Sequence, residues 1–305
     1  MKKIIAILGS NGYIGSSLCK FLSLNYKIIG ISKNNTNNDF CDEFFLINIY
    51  IDYWYTLIIN KRIDFIINCA FDFHDQNTDL NLKYKIFFEN LNLISKYTNC
   101  KFINISSTSS FETAKSIYGK EKLYIEKIFT KFNSINVRVG LVCSCYSPGS
   151  AFKKLINSDI FCYYPIIKCK DPSFFVCDII DLMECISYLL LIKINKSHTI
   201  TFCYRNKFLL SDIKKQVEIY KNKQLYSVYI NWKILYLLLI IKEFLFGIGK
   251  IRSDSIIDFV NQNNNILNRC FFSKYVLKKY YSKISFSEKN KNKFYLLEQN
   301  KYINQ

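Results

Sequence analysis

Two groups of residues in this chain have types and spacings that chemistry can use. The first is the stretch AILGSNGYIGSSLCKFL, Ala6 to Leu22, which gathers Gly9, Gly12 and Gly15, although the whole chain holds only 9 glycines. They lie where a buried apolar run gives way to a helical pattern. At such a junction backbone N–H groups come close to a pyrophosphate, and the helix N-terminus favours its negative charge. Glycine is required because a Cβ would block the turn or the ligand. An ordinary tight strand-to-helix turn is the plainer reading of the same residues. The second group is Tyr118 and Lys122, in YGKEK. Four residues apart on a predicted helix, they share a face. A free tyrosine, with a pKa of about 10, is a poor base at neutral pH. A nearby ammonium favours the phenolate and lowers that value. The pair then suits proton transfer to or from a hydroxyl. The chain has 23 tyrosines, so position is what singles this one out. It follows a Ser-rich strand end and sits in a helix that precedes another strand.

The elements that must hold these residues alternate. Lys3–Leu8 is a continuous apolar run, as in a buried parallel strand, and a helix follows the glycines to about Leu24. Strands are predicted at YKIIGIS, FFLIN, DFIINCA, KFINISS and INVRVGLV, with helices at YWYTLIINKR, Asn81–Tyr97 and Ser116–Phe132. Alternation at this spacing argues for βαβ units and a parallel sheet covered on both faces. After Val142 the regularity weakens. The segment to Phe175 is loop-rich and holds all 3 prolines. A helix is predicted over Ile179–Leu191, Ser211 reads as an N-cap for the helix after it, and the remainder reads as mainly helical with a basic tail. A domain boundary is placed near residue 145, with residues 1–145 as the first domain and 146–305 as a smaller lobe.

At 305 residues, half of them hydrophobic, the chain has material for a full core and is not disordered by composition. Its 42 Lys and Arg against 24 Asp and Glu give a net charge of +18. Such a balance suits nucleic acid, an anionic membrane or an anionic small molecule, but lysine, asparagine, isoleucine and tyrosine are over-used throughout. The charge therefore reads largely as a compositional bias. No localised Arg-rich face or nucleic-acid motif stands out, which argues against a nucleic-acid binder. The 12 cysteines lie singly, mostly in apolar runs, without a zinc spacing. They read as reduced thiols of a cytoplasmic protein. His74 and His198 are too far apart in sequence to suggest a metal site, and no metal is expected.

The glycine spacing G-x-x-G-x-x-G resembles that of the extended short-chain dehydrogenase/reductase superfamily, the branch of NAD(P)-dependent epimerases, dehydratases and reductases. Further matches come in order. DFIINCA resembles the strand whose end passes beside the cofactor, with Asn68 in place of the usual His. FINISS resembles the strand that ends in the catalytic Ser or Thr. YGKEK fits Y-x-x-x-K. VRVGLV resembles the segment after the catalytic helix, with Val139 in place of Pro. CDIIDLMECI and IRSDSIIDFV resemble later segments, the last of them as in polysaccharide-locus members. The likeness is strong over residues 1–145 and thin beyond.

The resemblance implies a Rossmann-type doubly wound parallel sheet with a smaller, mainly helical substrate lobe. It implies hydride transfer at a sugar carbon of a nucleotide- or lipid-linked sugar, giving epimerisation, dehydration or reduction, in surface polysaccharide biosynthesis. Tyr118 would be the acid/base, Ser107 would hold the same substrate oxygen, and Lys122 would also hold the nicotinamide ribose. Ser106, Thr108, Ser109 and Ser110 compete with Ser107 for its role. The cofactor site would comprise Gly9, Asn11, Gly12, Tyr13, Ile14, Gly15, Ser32, Lys33, Asn48, Ile49, Cys69 and Ala70, with Tyr118 and Lys122. The second strand ends Ile31-Ser32-Lys33, without the acidic residue that NAD enzymes place there. A hydroxyl and a cation suit a 2′-phosphate, so NADP is favoured over NAD, unless Lys33 points to solvent. The other reading of the whole chain is a non-catalytic NAD(P)-binding regulator or scaffold of the same fold. The apolar run ILYLLLII is too short to span a bilayer. Residues 231–249 read either as a buried helix or dimer contact, or as a helix lying on a membrane surface. The expected partners are then a small-molecule sugar substrate, a peripheral membrane contact at the cytoplasmic face and a second copy of the chain.

Overall fold

A computed structural model describes residues 2–34, 38–72, 79–143, 161–166, 173–203, 207–211, 218, 224–247 and 252–262. The chain falls into two compact units. The first takes Met1–Glu112, Ile117–Arg138 and Ile179–Ile200, and the second takes Thr113–Ser116, Val139–Asp178 and the chain from Thr201.

The first unit is built on a seven-stranded sheet. Its strands are β1 (Ile4–Leu8), β2 (Lys27–Ser32), β3 (Glu43–Leu46), β4 (Phe65–Asn68), β5 (Lys101–Ser107), β6 (Ser134–Val139) and β11 (His198–Phe202), in the spatial order β11-β6-β5-β4-β1-β2-β3. The pairs from β3 through β2, β1 and β4 to β5 are parallel. Residues 5–8 of β1 are fully buried, which explains their unbroken apolar run. The helices are α1 (Tyr13–Leu22), α2 (Tyr55–Asn60), α3 (Leu80–Lys83), α4 (Lys85–Tyr97), α5 (Ile117–Phe129) and α6 (Ile179–Leu189). Leu18, Cys19 and Leu22 of α1 are buried, and α1 packs against α6. Trp54, Tyr84, Phe87, Phe102 and Phe129 form an aromatic core that joins α2, α4 and α5 to the sheet. Chain order departs from β1 to β2 and β3 on one side and resumes at β4 on the other. The carboxyl ends of β1 and β4 therefore border the crevice where doubly wound sheets bind ligands.

Two expected elements are divided. The helix predicted over Asn81–Tyr97 breaks at Tyr84, whose ring is fully buried. The strand predicted over INVRVGLV ends at Val139, and β7 (Leu141–Cys143) pairs instead with β10 (Val176–Asp178). Gly140 is the joint, because a Cβ there would lie 2.8 Å from the Phe175 carbonyl oxygen. The seventh strand, β11, comes from beyond the boundary placed near residue 145. In the second unit the described residues include strands as well as helices: β8 (Phe161–Ile166), β9 (Ser173–Phe174), β12 (Phe208–Leu209) and β13 (Tyr226–Asn231), then α7 (Trp232–Phe246) and α8 (Ser253–Val260). Residues 212–217 of the helix expected after Ser211, the basic tail beyond residue 262 and His74 lie outside the described residues, while His198 opens β11.

Candidate active site

The chain leaves β1 through Gly9, whose φ of +76° is a conformation that favours glycine. The Gly9 and Ser10 amides both donate to the Ile31 carbonyl, at 2.8 and 3.2 Å, and the Gly12 amide donates back to the Gly9 carbonyl at 2.9 Å. A Cβ on Gly15 would sit 2.1 Å from the Gly9 oxygen, and one on Gly9 would sit 2.8 Å from the Ala70 backbone. A Cβ on Gly12 would meet only that oxygen, at 3.2 Å. Gly9 and Gly15 therefore make the turn closable, whereas Gly12 leaves room above it. Helix α1 starts from Gly12 with no side-chain cap, and Tyr13, Ile14 and Gly15 form its first turn. An anion at this end meets helix amides without a competing side chain. Two neighbouring segments hold the turn. Asn11 Nδ2 donates to the Asn34 carbonyl at 2.9 Å, and Asn38 Nδ2 donates to the Ser10 carbonyl at 3.0 Å.

Beside this turn, Ser32 is buried and its Oγ accepts from the Asn34 amide at 3.3 Å. Lys33 does not simply point to solvent, because its Nζ lies 3.2 Å from Asp72 Oδ1. The carboxylate missing from the end of β2 thus arrives from the end of β4, already paired with the cation. Asn48 closes its own turn, with Oδ1 accepting from the Tyr50 amide at 3.2 Å. Ile49 is buried in the core, and its carbonyl accepts from Trp54 Nε1. Of the two expected contacts there, Asn48 is half-buried, and the Ile49 side chain belongs to the core.

The residues expected to transfer protons stand by the ends of β4 and β5. Lys122 of α5 is buried, and its Nζ donates to the Ile105 carbonyl at 3.0 Å. That bond fastens the helix to β5 two residues before Ser107. The same Nζ lies 5.9 Å from the centre of the Tyr118 ring and 4.8 Å from that of Phe71. Phe71 meets Tyr118 edge-on, with ring centres 5.0 Å apart. Burial lowers Lys122 to a pKa of about 8, against the opposing pull of Cys69, Glu126 and Glu121. Cys69, whose amide donates to the Leu8 carbonyl at 2.9 Å, is pushed up to about 12 by burial, although Lys122 pulls it down. Ser107 Oγ accepts from the Ser109 amide at 3.1 Å, which leaves its O–H to donate. Ser106 is not equivalent, because its hydroxyl donates to Glu126 Oε1 at 2.5 Å. The Ser110 hydroxyl is fully buried.

A buried polar frame supports this group, and the sequence reading missed most of it. Glu126 of α5 takes a forked ion pair from Arg138 of β6, at 2.9 Å from Nε and 2.7 Å from Nη2. Glu121 pairs with Lys83 at 3.0 Å, both side chains being nearly fully buried. Three buried asparagines cross adjacent strands. Asn68 Nδ2 donates to Asn104 Oδ1 at 2.9 Å, and Asn104 Nδ2 donates to Asn136 Oδ1 at 2.8 Å. At the near end, Asn68 Oδ1 accepts from the Ala70 amide at 3.2 Å and so sets the backbone that packs on Gly9. The one visible trace was Asn68 standing where a His is usual. Phe71 and Asp72 directly follow the recognised DFIINCA stretch but carried no signal of their own.

Fold and site together define a doubly wound nucleotide-binding enzyme with a Ser, Tyr and Lys set at its strand ends. The model of the NAD dependent epimerase/dehydratase family matches residues 5–164, just over half of the chain. The chain is an enzyme of that family. No curated protein sequence matches it significantly. Among solved structures it is similar to MoeE5 in complex with UDP-glucuronic acid and NAD, with a TM-score of 0.62, 11% identity, and coverage of 91% of this chain and 99% of that one. It is similar to UDP-glucuronic acid 4-epimerase from Bacillus cereus, bound to the same two molecules, with a TM-score of 0.61, 16% identity and coverage of 87% and 99%. It is also similar to UDP-glucose 4-epimerase from Thermotoga maritima, with a TM-score of 0.58, 15% identity and coverage of 75% and 85%.

The residues present fit an NAD(P) cofactor. Gly9 and Gly15 close the turn, Gly12 leaves the space above it, and α1 begins without a side-chain cap. Among the described residues no group of His, Cys, Asp or Glu side chains is placed to hold a metal ion.

Proposed function

We propose that the chain epimerises, dehydrates or reduces a nucleotide-linked or lipid-linked sugar in surface polysaccharide biosynthesis. The observation that carries this reading is the Lys122 ammonium, bonded to the Ile105 carbonyl and standing beside the Tyr118 ring. A bound nicotinamide supplies a hydride acceptor and donor. Gly9, Gly12, Gly15 and the first turn of α1 bind the pyrophosphate. Ser107 donates to the sugar oxygen and orients it. Tyr118 takes the hydroxyl proton on oxidation and returns one on reduction. Lys122 attracts the negative charge that develops on the phenol oxygen, and the half-buried Phe71 ring covers one side of the pair. The test is to incubate purified protein with NAD or NADP and a panel of sugar nucleotides, following conversion by chromatography. Conversion that Tyr118→Phe abolishes supports the reading. Nucleotide binding without any conversion moves the chain to the scaffold reading.

We also propose that α7 rests on an anionic membrane surface. Nearly every side of this helix is apolar and open, with Phe244 and Phe246 88% and 80% exposed and only Leu239 buried. Lys233 and Lys242 are exposed along it, Trp232 stands at its start, and the chain carries a net charge of +18. An apolar body with an aromatic anchor and cationic neighbours suits the interface. Among the described residues no helix is long and apolar enough to cross a membrane. Co-sedimentation with phosphatidylglycerol vesicles at low salt, lost in a Leu237→Glu, Phe244→Glu double variant, is the expected result. A protein that stays in the supernatant while dimerising through α7 overturns it.

A further inference from the structure

Behind the glycine turn lies a pair of thiols that the proposed chemistry does not use. Cys19 is on α1 and Cys41 stands just before β3, and neither is in a disulfide. Their Sγ atoms are 3.6 Å apart and share a hydrogen bond. The sequence gives no hint of this, because the two residues are 22 positions apart. Gly30 of β2 makes the space, since a Cβ there would lie 2.6 Å from Cys41 Sγ and 3.0 Å from Ser10 Oγ. The Ser10 hydroxyl is itself fully buried and has no hydrogen-bond partner among the described residues. The thiols therefore adjoin the side chain of a glycine-turn residue.

The backbone makes the same connection. The Cys41 amide donates to the Asn38 carbonyl at 2.9 Å, and the Asn38 side chain donates to the Ser10 carbonyl at 3.0 Å. On the other side, Asp42 is tied to Ile28 of β2 by its amide and its carboxylate, at 2.9 and 2.7 Å. A displacement of Cys41 is thus transmitted to the turn rather than absorbed in a free loop.

We propose that Cys19 and Cys41 form a disulfide on exposure to a small-molecule disulfide, and that this bond weakens dinucleotide binding. Cys41, only half-buried, is the group that an oxidant reaches first. Its hydrogen bond with Cys19 holds it below the usual thiol range, and the same bond together with burial keeps Cys19 protonated. The Cys41 thiolate attacks one sulfur of the oxidant and releases its other half as a thiolate. Cys19 then loses its proton and attacks Cys41 Sγ, which expels the remaining half. Two protein thiols are oxidised and the small disulfide is reduced to two thiols. The new bond is about 2.05 Å long, so the sulfurs must close well over an ångström. That closure pulls on Cys41 and, through Asn38, on the hydrogen bond to the Ser10 carbonyl. The effect on nucleotide rests on reading the turn as a dinucleotide site, but the thiol chemistry does not.

The test uses the full chain, exposed to oxidised glutathione, then alkylated and digested. The expected product is a Cys19–Cys41 linked peptide that dithiothreitol reverses and that Cys41→Ser lacks. Cys19→Ala should stall with glutathione on Cys41. By titration, the oxidised wild type should bind NAD about fivefold more weakly, and reduction should restore it. Recovery of Cys19 and Cys41 as separate alkylated thiols overturns the pair. A disulfide that leaves NAD affinity unchanged overturns the coupling to the turn. Absence of nucleotide binding in both states counts against the dinucleotide site instead, and the thiol result still stands.

Discussion

Lys122 Nζ donates to the main-chain carbonyl of Ile105 at 3.0 Å, so the proposed catalytic helix is bolted to the strand that ends in Ser107. The bond also fixes where the ammonium stands, 5.9 Å from the Tyr118 ring centre. Tyr118→Phe keeps the ring and its edge-on contact with Phe71 but removes the proton. Turnover should fall by about 10²-fold or more, while NAD affinity by titration stays within about twofold of wild type. Near-normal turnover would move the acid/base role to another residue.

The value of about 8 for Lys122 has two consequences with pH. Activity that needs the ammonium should decline as pH rises through about 8, approaching tenfold per unit, and Lys122→Arg should move that limb upward. Stability goes the other way. The folded pKa lies below the unfolded value of 10.5, so between the two the unfolded chain binds more protons. Stability attributable to this group therefore rises with pH across that window, by about 3 kcal/mol in all. Chemical denaturation at pH 7.5 and 10, compared between wild type and Lys122→Met, isolates it. The variant should lack the increment.

Gly12 and Gly15 should separate on substitution. Gly12→Val places its side chain where only one atom comes within 3.2 Å of the Cβ, so the chain should fold and lose NAD(P) binding. Gly15→Val drives a Cβ to 2.1 Å from the Gly9 oxygen and should lower the melting temperature as well. Circular dichroism melts beside cofactor titrations tell the two apart. Unchanged NAD(P) affinity in folded Gly12→Val would remove the dinucleotide site from this turn.

Cofactor choice should turn on Asp72. Paired with it at 3.2 Å, Lys33 has less charge to offer a 2′-phosphate than its sequence position suggests. Asp72→Asn should raise affinity for NADP relative to NAD by about tenfold, equivalent to ~1.4 kcal/mol, just under the range for a hydrogen bond to a charged group. Lys33→Ala should erase that gain. An unchanged ratio in Asp72→Asn would show that Lys33 plays no part in cofactor choice.

The local signals were sufficient for the parts of this protein that neighbours in sequence build. The apolar run Ile4–Leu8, the glycines after it and the four-residue step from Tyr118 to Lys122 each express a period or a turn that the backbone imposes over a few residues. The alternation of strands and helices, the turn and the spacing of that tyrosine from that lysine were legible for this reason. The partners of those residues were not. Asp72 reaches Lys33 across 39 positions, Lys83 reaches Glu121 across 38, and Asn68, Asn104 and Asn136 align only because β4, β5 and β6 are adjacent in the sheet. The same holds for Gly140, which reads as part of a strand until the Phe175 carbonyl lies against it, and for Cys19 and Cys41. Such contacts follow from parallel strands joined by helical crossovers, which bring distant residues to one sheet edge and leave no period in the chain to announce it.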